Sequence, residues 1–192
     1  MTSNQNVMAL GHRRTWNRTR FDSYLVAASL GILAGLLVSY VNTPLHMPGH
    51  KALFWIVPAV AYRIRSGSKG AATTTVTAAQ ITALLLGGSL AGGYVMAPLV
   101  ILAGIILDFA IHMIERHRVT ARTAFTLLAL AGMLGNLLCF IKRLANPLGP
   151  FLSSANLQDL GMAAGSHLLF GMMGALIGCG IGFLMRSRPF NR

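Results

Sequence analysis

Three histidines and a methionine are the side chains in this sequence that most readily suggest a metal site. His46, Met47 and His50 lie in the segment Asn42–Lys51, and His167 lies near the start of the last apolar stretch. Imidazole nitrogens bind nickel, cobalt, copper or zinc, and a thioether favours softer ions. We take His46, His50 and His167 as candidate metal ligands. The alternative is that these histidines lie at a membrane surface and form hydrogen bonds with loop carbonyls.

A second polar set ends the fourth apolar stretch. Asp108, His112 and Glu115 are separated by four and three residues, which places them on one face of a helix. They could hold a metal in a membrane-embedded redox protein or enzyme. Basic neighbours favour a second interpretation, a charged helix end at the membrane surface. Asp108 lies a turn inside the apolar zone, so we expect it to have a partner within the protein.

Sequence motifs of the common catalytic classes are absent. The chain has no Gly-x-x-x-x-Gly-Lys-Ser/Thr phosphate loop, no Gly-x-Ser-x-Gly elbow and no His-Glu-x-x-His helix. Haem ligation needs histidines at facing depths on two helices, and the topology below places His112 and His167 on opposite sides. We therefore expect no enzymatic activity and no intrinsic cofactor, with a transition metal considered only as cargo.

The elements that must position these residues are apolar. Of the 192 residues, 54% are hydrophobic and 10% are charged, and the mean hydropathy is +0.62. A membrane-spanning helix needs about 20 apolar residues. The sequence predicts an all-α membrane protein with six transmembrane helices, over Ser23–Val41, Ala52–Tyr62, Thr73–Ala91, Tyr94–Ile114, Thr123–Ile141 and Met162–Met185. The second is short and is expected to tilt, to start inside the protein, or to use Arg63 and Arg65 as snorkelling ends.

Basic residues predict the orientation. If all six segments cross, only three of the 16 lysines and arginines face outward, which matches the positive-inside rule. Both termini are then cytoplasmic, with a basic N-terminal arm over residues 1–22, a single membrane domain over 23–186 and a tail over 187–192. The net charge of +12 is explained by cytoplasmic loops near anionic lipid. We therefore expect the lipid bilayer, and not nucleic acid, as a partner.

Polar residues on the predicted outer side form a candidate binding site. Pro44, Pro48 and Gly49 prevent a regular helix in the loop after the first span. A second outer loop of about twenty residues follows the fifth span, a length typical of lids and binding loops. The candidate substrate-binding residues are Asn42, His46, Met47, His50, Asn136, Lys142, Arg143 and His167. Lys142 and Arg143 would favour an anionic group.

Small residues mark one face of the first helix. Ala27, Gly31 and Gly35 recur every fourth residue, so another helix can approach closely. That helix belongs either to the same bundle or to a separate membrane subunit.

Several stretches together resemble a known family. The small-residue face of the first helix, the bent outer loop, Tyr94-Val-Met-Ala-Pro-Leu-Val-Ile-Leu-Ala-Gly-Ile-Ile-Leu-Asp108 and His167-Leu-Leu-Phe-Gly-Met-Met-Gly-Ala-Leu-Ile-Gly178 look like the substrate-capture (S) components of energy-coupling factor (ECF) transporters. The similarity is one of architecture and composition over most of the chain.

The resemblance implies a function. Such subunits capture a vitamin or a transition metal at the outer face of a prokaryotic plasma membrane, and they associate with a membrane coupling (T) subunit and two cytoplasmic ATPases. It would make Ala27, Gly31 and Gly35 contacts for the coupling subunit, and the loop Asn42–Lys51 a gate. Metal-type members carry Met-His-Ile-Pro-Asp-Gly at their N-terminus. Here the similar segment, Leu45 to His50, is internal and lacks the aspartate, so an organic nutrient and a metal both remain candidates. A non-catalytic scaffold subunit is the further alternative.

Overall fold

The computed structural model describes residues 4–41, 48–87, 90, 94–117, 119–145 and 157–186, and for 4–20, 142–145 and 157 it describes the backbone alone. Within these ranges the protein is all-helical, as predicted. The six α-helices are α1 (Asn4–Tyr40), α2 (Ala52–Ser66), α3 (Ala71–Leu85), α4 (Ala97–His117), α5 (Ala121–Ala145) and α6 (Leu157–Arg186), and a 3₁₀ turn, Tyr94–Met96, leads into α4.

Four of these helices are long and apolar enough to cross a membrane. The candidate spans are Phe21–Tyr40 in α1, Tyr94–His117 in α4 with the 3₁₀ turn before it, Ala121–Ile141 in α5 and Gln158–Arg186 in α6. Large apolar side chains cover the outside of the bundle, as lipid-facing residues do, where a soluble protein would carry polar ones. The chain is therefore a multi-pass helical membrane protein that associates with a lipid bilayer. α2 and α3 have 15 residues each and are shorter than a full span.

The helices pack as a ring in which α2 lies between α6 and α1. α1 packs on α3, α3 on α4, α4 on α5, α5 on α6 and α6 on α2, and α2 also contacts α1, α3 and α4. This position explains why α2 supplies the fully buried Trp55, Ile56 and Val60. The arrangement gives the bundle two ends. We call the end where α2, α4 and α6 finish the arginine end, and the end where they begin the histidine end.

Glycines bring helix pairs into backbone contact. A Cβ atom on Gly132 of α5 would collide with the backbone of Gly171 of α6, and the reverse also holds. On α1, Gly31 meets the backbone of Thr75 and Gly35 meets that of Ala79, while Ala27 is fully buried. The small-residue face of α1 therefore packs against α3 of the same chain.

Several helix boundaries differ from the sequence-based prediction. α3 ends at Leu85, six residues before the predicted end, because Gly87 adopts a left-handed conformation with φ of +74° and stops the helix. α5 continues through Lys142 and Arg143 to Ala145, and α6 begins at Leu157, so helices take up both ends of the predicted outer loop. α1 begins at Asn4, so most of the predicted basic arm has a helical backbone.

Candidate functional site

The turn before α2 is the part of the histidine end whose backbone contacts are described. Gly49 has a φ of +83°, which favours glycine. Its carbonyl accepts a hydrogen bond from the Ala52 amide at 3.0 Å, and the His50 carbonyl accepts one from the Leu53 amide at 3.2 Å. A Cβ atom at position 49 would lie 2.9 Å from the Cα atom of His167. Only glycine therefore lets this turn contact α6 so closely.

Asn136 connects this turn to two helices. Its side chain lies on α5, is 2% exposed, and donates from Nδ2 to the carbonyl of His167 at 2.7 Å and to the carbonyl of Gly49 at 3.3 Å. Both protons of one amide group are thus used by two backbone oxygens from different elements. The buried amide holds the end of the proline-containing segment against α5 and α6.

Two histidine rings lie close to this contact. The Nδ1 atom of His167 lies 2.8 Å from the Ala163 carbonyl, which can only accept, so Nδ1 carries the proton of this hydrogen bond. The ring packs against Phe140 with centroids 5.4 Å apart. His50 meets Phe170 edge to face at 6.4 Å. Two imidazole groups therefore lie near the Asn136 amide, one on His167, whose carbonyl it binds, and one on His50, the residue after Gly49.

The first helix also reaches this end. Lys51 donates from Nζ to the Val38 carbonyl near the end of α1, at 3.1 Å. The ammonium group supplies a partner for one of the carbonyls that a helix end leaves unsatisfied. Both flanks of the segment between α1 and α2 are therefore tied to the same end of the bundle.

The structure brings together three of the predicted binding residues: His50, Asn136 and His167. Asn42, His46 and Met47 lie outside the described residues. Lys142 and Arg143 lie on the last turn of α5, and only their backbone is described. Within the described part of the chain, no group of three or more His, Cys, Asp or Glu residues is arranged to hold a metal ion.

The arginine end contains an ionic network. Arg63 of α2 is fully buried, and its guanidinium meets two carboxylates of α4. Its Nε donates to Asp108 Oδ1 at 3.0 Å, and its Nη1 and Nη2 donate to the two oxygens of Glu115 at 3.2 and 2.9 Å. Such a two-pronged contact matches the planar geometry of both groups. The prediction that Arg63 is a snorkelling end was therefore wrong, since the side chain turns inward to these acids.

Asp108 also caps α3. The Thr73 amide donates to Oδ2 at 2.7 Å and the Thr73 hydroxyl donates to the same oxygen at 2.6 Å, while the Gly70 amide donates to Oδ1 at 3.2 Å. The first amides of a helix lack partners within it, and the helix dipole favours a negative charge there. No side chain of α3 itself caps this end, so a carboxylate from α4 takes that role.

This network answers one question raised by the sequence. Asp108 does have a partner within the protein, as expected. The carboxylates of Asp108 and Glu115 are engaged by Arg63, so binding a metal through them and His112 would require breaking these bonds. The sequence held a signal for the network, because two acids seven residues apart share a helix face and an arginine ends another apolar stretch.

Sequence and structure comparisons give no further guide: the chain matches no family model, no curated protein and no solved structure.

Proposed function

We propose that this protein is the substrate-capture subunit of an ATP-driven micronutrient importer, with no enzymatic activity of its own, and that it binds cargo at the histidine end. The observation that carries the proposal is the Asn136 amide, which holds the end of the proline-containing segment against α5 and α6 through two backbone carbonyls. A segment tethered in this way is suited to opening for cargo and closing over it.

The strength of these contacts supports a gate. The segment is held by the two neutral hydrogen bonds of Asn136, each worth about 1 kcal/mol net, by the bond of the half-buried Lys51 ammonium to the Val38 carbonyl, and by the ring contact of His50 with Phe170. When the segment opens, these contacts are lost. A cargo molecule with a few polar atoms can replace the lost hydrogen bonds when the segment closes over it. A charged, buried contact would resist opening far more strongly.

The available side chains define the cargo classes. The imidazoles of His50 and His167, with His46 and Met47 just before His50 in the chain, suit a transition metal. Lys142 and Arg143, at the end of α5, suit a carboxylate or phosphate group of a vitamin or similar organic nutrient. Asn42 and Asn136 would add neutral hydrogen bonds to either. The proposal therefore names a small metal ion or an anionic organic nutrient as cargo.

The energy source lies outside this chain. Because the sequence lacks a phosphate loop, we propose a membrane coupling (T) subunit and two cytoplasmic ATPases as partners, by the resemblance to ECF S components. All six helices would cross the plasma membrane of a prokaryote, with both termini in the cytoplasm. A partner role for Ala27, Gly31 and Gly35 would require α3 to move away, since these residues are already packed against it.

Native mass spectrometry of the detergent-purified protein tests the proposal, because it reports a retained ligand and copurified subunits together. We expect the wild type to carry a ligand of constant mass and the double variant His46→Ala/His50→Ala to lose it. Arg122→Gln, an exposed cation at the opposite end, is the matched control and should keep it. Equal ligand occupancy in the double variant would remove both histidines from the site.

Other outcomes would support the alternatives. A Soret band, or stoichiometric metal that is lost on His112→Ala, would favour a membrane redox protein or enzyme. Copurified partners without any small molecule or metal would favour a scaffold subunit.

A further inference from the structure

A cavity of about 510 Å³ lies at the arginine end, between α2, α4, α5 and α6. Its volume falls in the range of small-molecule sites, about 300–1,000 Å³. The side chains that matter for its chemistry are Ile64, Ile111, Leu128, Phe183, Glu115 and Arg186. Neither the helix contacts nor the proposed capture site at the opposite end accounts for it.

The walls of the cavity are aliphatic and aromatic. Ile64, Ile111 and Leu128 are buried side chains from three different helices, and Phe183 closes a further side from α6. These helices include three of the four candidate membrane spans. An apolar cavity at the end of membrane-spanning helices can be reached by the hydrocarbon chains of lipids. We therefore expect an acyl chain to occupy it.

The rim of the cavity carries an exposed cation and a paired carboxylate. Glu115 borders the cavity, and both of its oxygens accept hydrogen bonds from Arg63, which also pairs with Asp108. Arg186 lies in the last turn of α6 and is exposed. Among the side chains that the structure describes, Arg186 forms no ion pair, because the two that occur both use Arg63. Its guanidinium is therefore available for an anion at the mouth of an apolar hollow.

Other exposed cations lie at the same end. Arg65 and Lys69 flank the α2–α3 turn, and Arg122 begins α5. Basic residues close to a bilayer surface attract anionic lipid. One class of ligand fits these features, a lipid with a hydrocarbon tail and a negative phosphate group. The apolar cavity would take the tail, and the guanidinium at its rim and the basic residues around it would attract the phosphate.

We propose that the arginine end binds one anionic phospholipid, with an acyl chain in the cavity and its phosphate on Arg186. Arginine presents paired N–H groups that match phosphate oxygens. The Arg63 network supports this site indirectly, because Arg63 engages both oxygens of Glu115 and, among the described side chains, this carboxylate forms no ion pair with Arg186. The lipid would stabilise the ends of α2, α4, α5 and α6 against one another.

Native mass spectrometry from nanodiscs with equal parts phosphatidylglycerol and phosphatidylcholine tests the site. We expect one retained phosphatidylglycerol per protein in preference to phosphatidylcholine. Arg186→Gln should lower that preference about fivefold, the effect of one basic residue near the surface. Arg122→Gln removes a cation at the same end that does not line the cavity, and it should leave the retained lipid in place.

A second variant tests the acyl-chain half. Ala124 also lines the cavity, and Ala124→Phe should reduce retention of both lipids by filling the space, with thermal unfolding used to check that the variant is folded. Equal retention of the two lipids, no effect of Arg186→Gln, or displacement of the lipid by millimolar inorganic phosphate would overturn the proposal. No arm of the experiment depends on the cargo of the histidine end.

Discussion

The two ends of the bundle satisfy their buried polar groups in opposite ways. At the arginine end, one guanidinium and two carboxylates join α2 to α4 and cap α3. At the histidine end, one neutral amide joins a turn to α5 and α6, and imidazole rings pack on aromatic ones. The first end is held by a buried network of ion pairs, and the second by hydrogen bonds to backbone carbonyls, from the neutral Asn136 amide and from Lys51.

This difference predicts which end of the bundle opens at the lower cost in free energy. Removing one partner of a buried ion pair leaves an uncompensated charge, which costs about 3–5 kcal/mol. Separating a neutral hydrogen bond whose groups regain water costs only about 1 kcal/mol. Movement that serves binding is therefore expected at the histidine end, while the arginine end keeps α2, α3 and α4 together.

The largest effect is expected from Arg63→Met. The variant leaves Asp108 and Glu115 without their cation, and we expect a loss of about 3–5 kcal/mol in the free energy of unfolding. Denaturant or SDS titration in detergent micelles measures it. Arg65→Met, which removes an exposed cation two residues away, should change stability by less than about 0.5 kcal/mol. Similar values for the two variants would mean that the ionic network does not hold this end.

A pair of glycine variants compares the two ends directly. Gly49→Ala and Gly67→Ala both place an alanine at positive φ, at +83° and +64°, which costs about 1–2 kcal/mol. A Cβ atom at position 67 would meet no heavy atom within 4 Å, whereas one at position 49 would meet His167. We therefore expect the larger loss of stability for Gly49→Ala in the same titration. Equal losses would show that the turn does not pack on α6.

The amide contact at the histidine end should have an intermediate effect. Asn136→Leu leaves the carbonyls of Gly49 and His167 without their donor, and we expect a loss of about 1–3 kcal/mol. Ser39→Ala is the control at the same end, because the Ser39 hydroxyl donates only to the Gly35 carbonyl of its own helix. It should lose less than about 0.5 kcal/mol. If Asn136→Leu is as stable as the wild type, the turn is held by other contacts.

The smallest effect is expected within the cap of α3. Thr73→Val keeps the side-chain shape and removes the hydroxyl bond to Asp108, while the Thr73 amide still donates to the same carboxylate. We expect a loss of about 1.5 kcal/mol. Thr74→Val, whose hydroxyl donates to Gly70 in the first turn of the same helix, should be close to neutral. A reversed order would argue against capping by α4.

The sequence predicted the helices better than their ends. Apolar stretches revealed all six helices, because lipid-facing and core residues are both apolar and leave a continuous signal. The early end of α3 was missed, since the apolar run continues beyond Leu85 and only the conformation of Gly87 stops the helix. Local composition therefore predicts which segments are helical. It does not predict the residue at which a glycine in a left-handed conformation ends a helix.

The polar contacts were harder to predict. Asp108 was expected to have an internal partner because a carboxylate among apolar residues needs one, but Arg63 was assigned to the surface. Its burial depends on the packing of α2 against α4, which no local pattern encodes. Asn136 was expected to line a site, yet both of its partners are backbone carbonyls, and these have no signature in the sequence. Side chains that bind backbone across helices can be recognised only from the fold.

The central claim is that the histidine end faces away from the cytoplasm and is the end that captures cargo. Single cysteines test it, in a background where Cys139 and Cys179 are replaced by alanine. Tyr94→Cys reports on the histidine end, where Tyr94 is 76% exposed, and Lys69→Cys reports on the arginine end. In intact cells, a membrane-impermeant maleimide should label position 94 and should reach position 69 only after permeabilisation. Labelling of position 69 in intact cells, with position 94 protected until permeabilisation, would contradict the account.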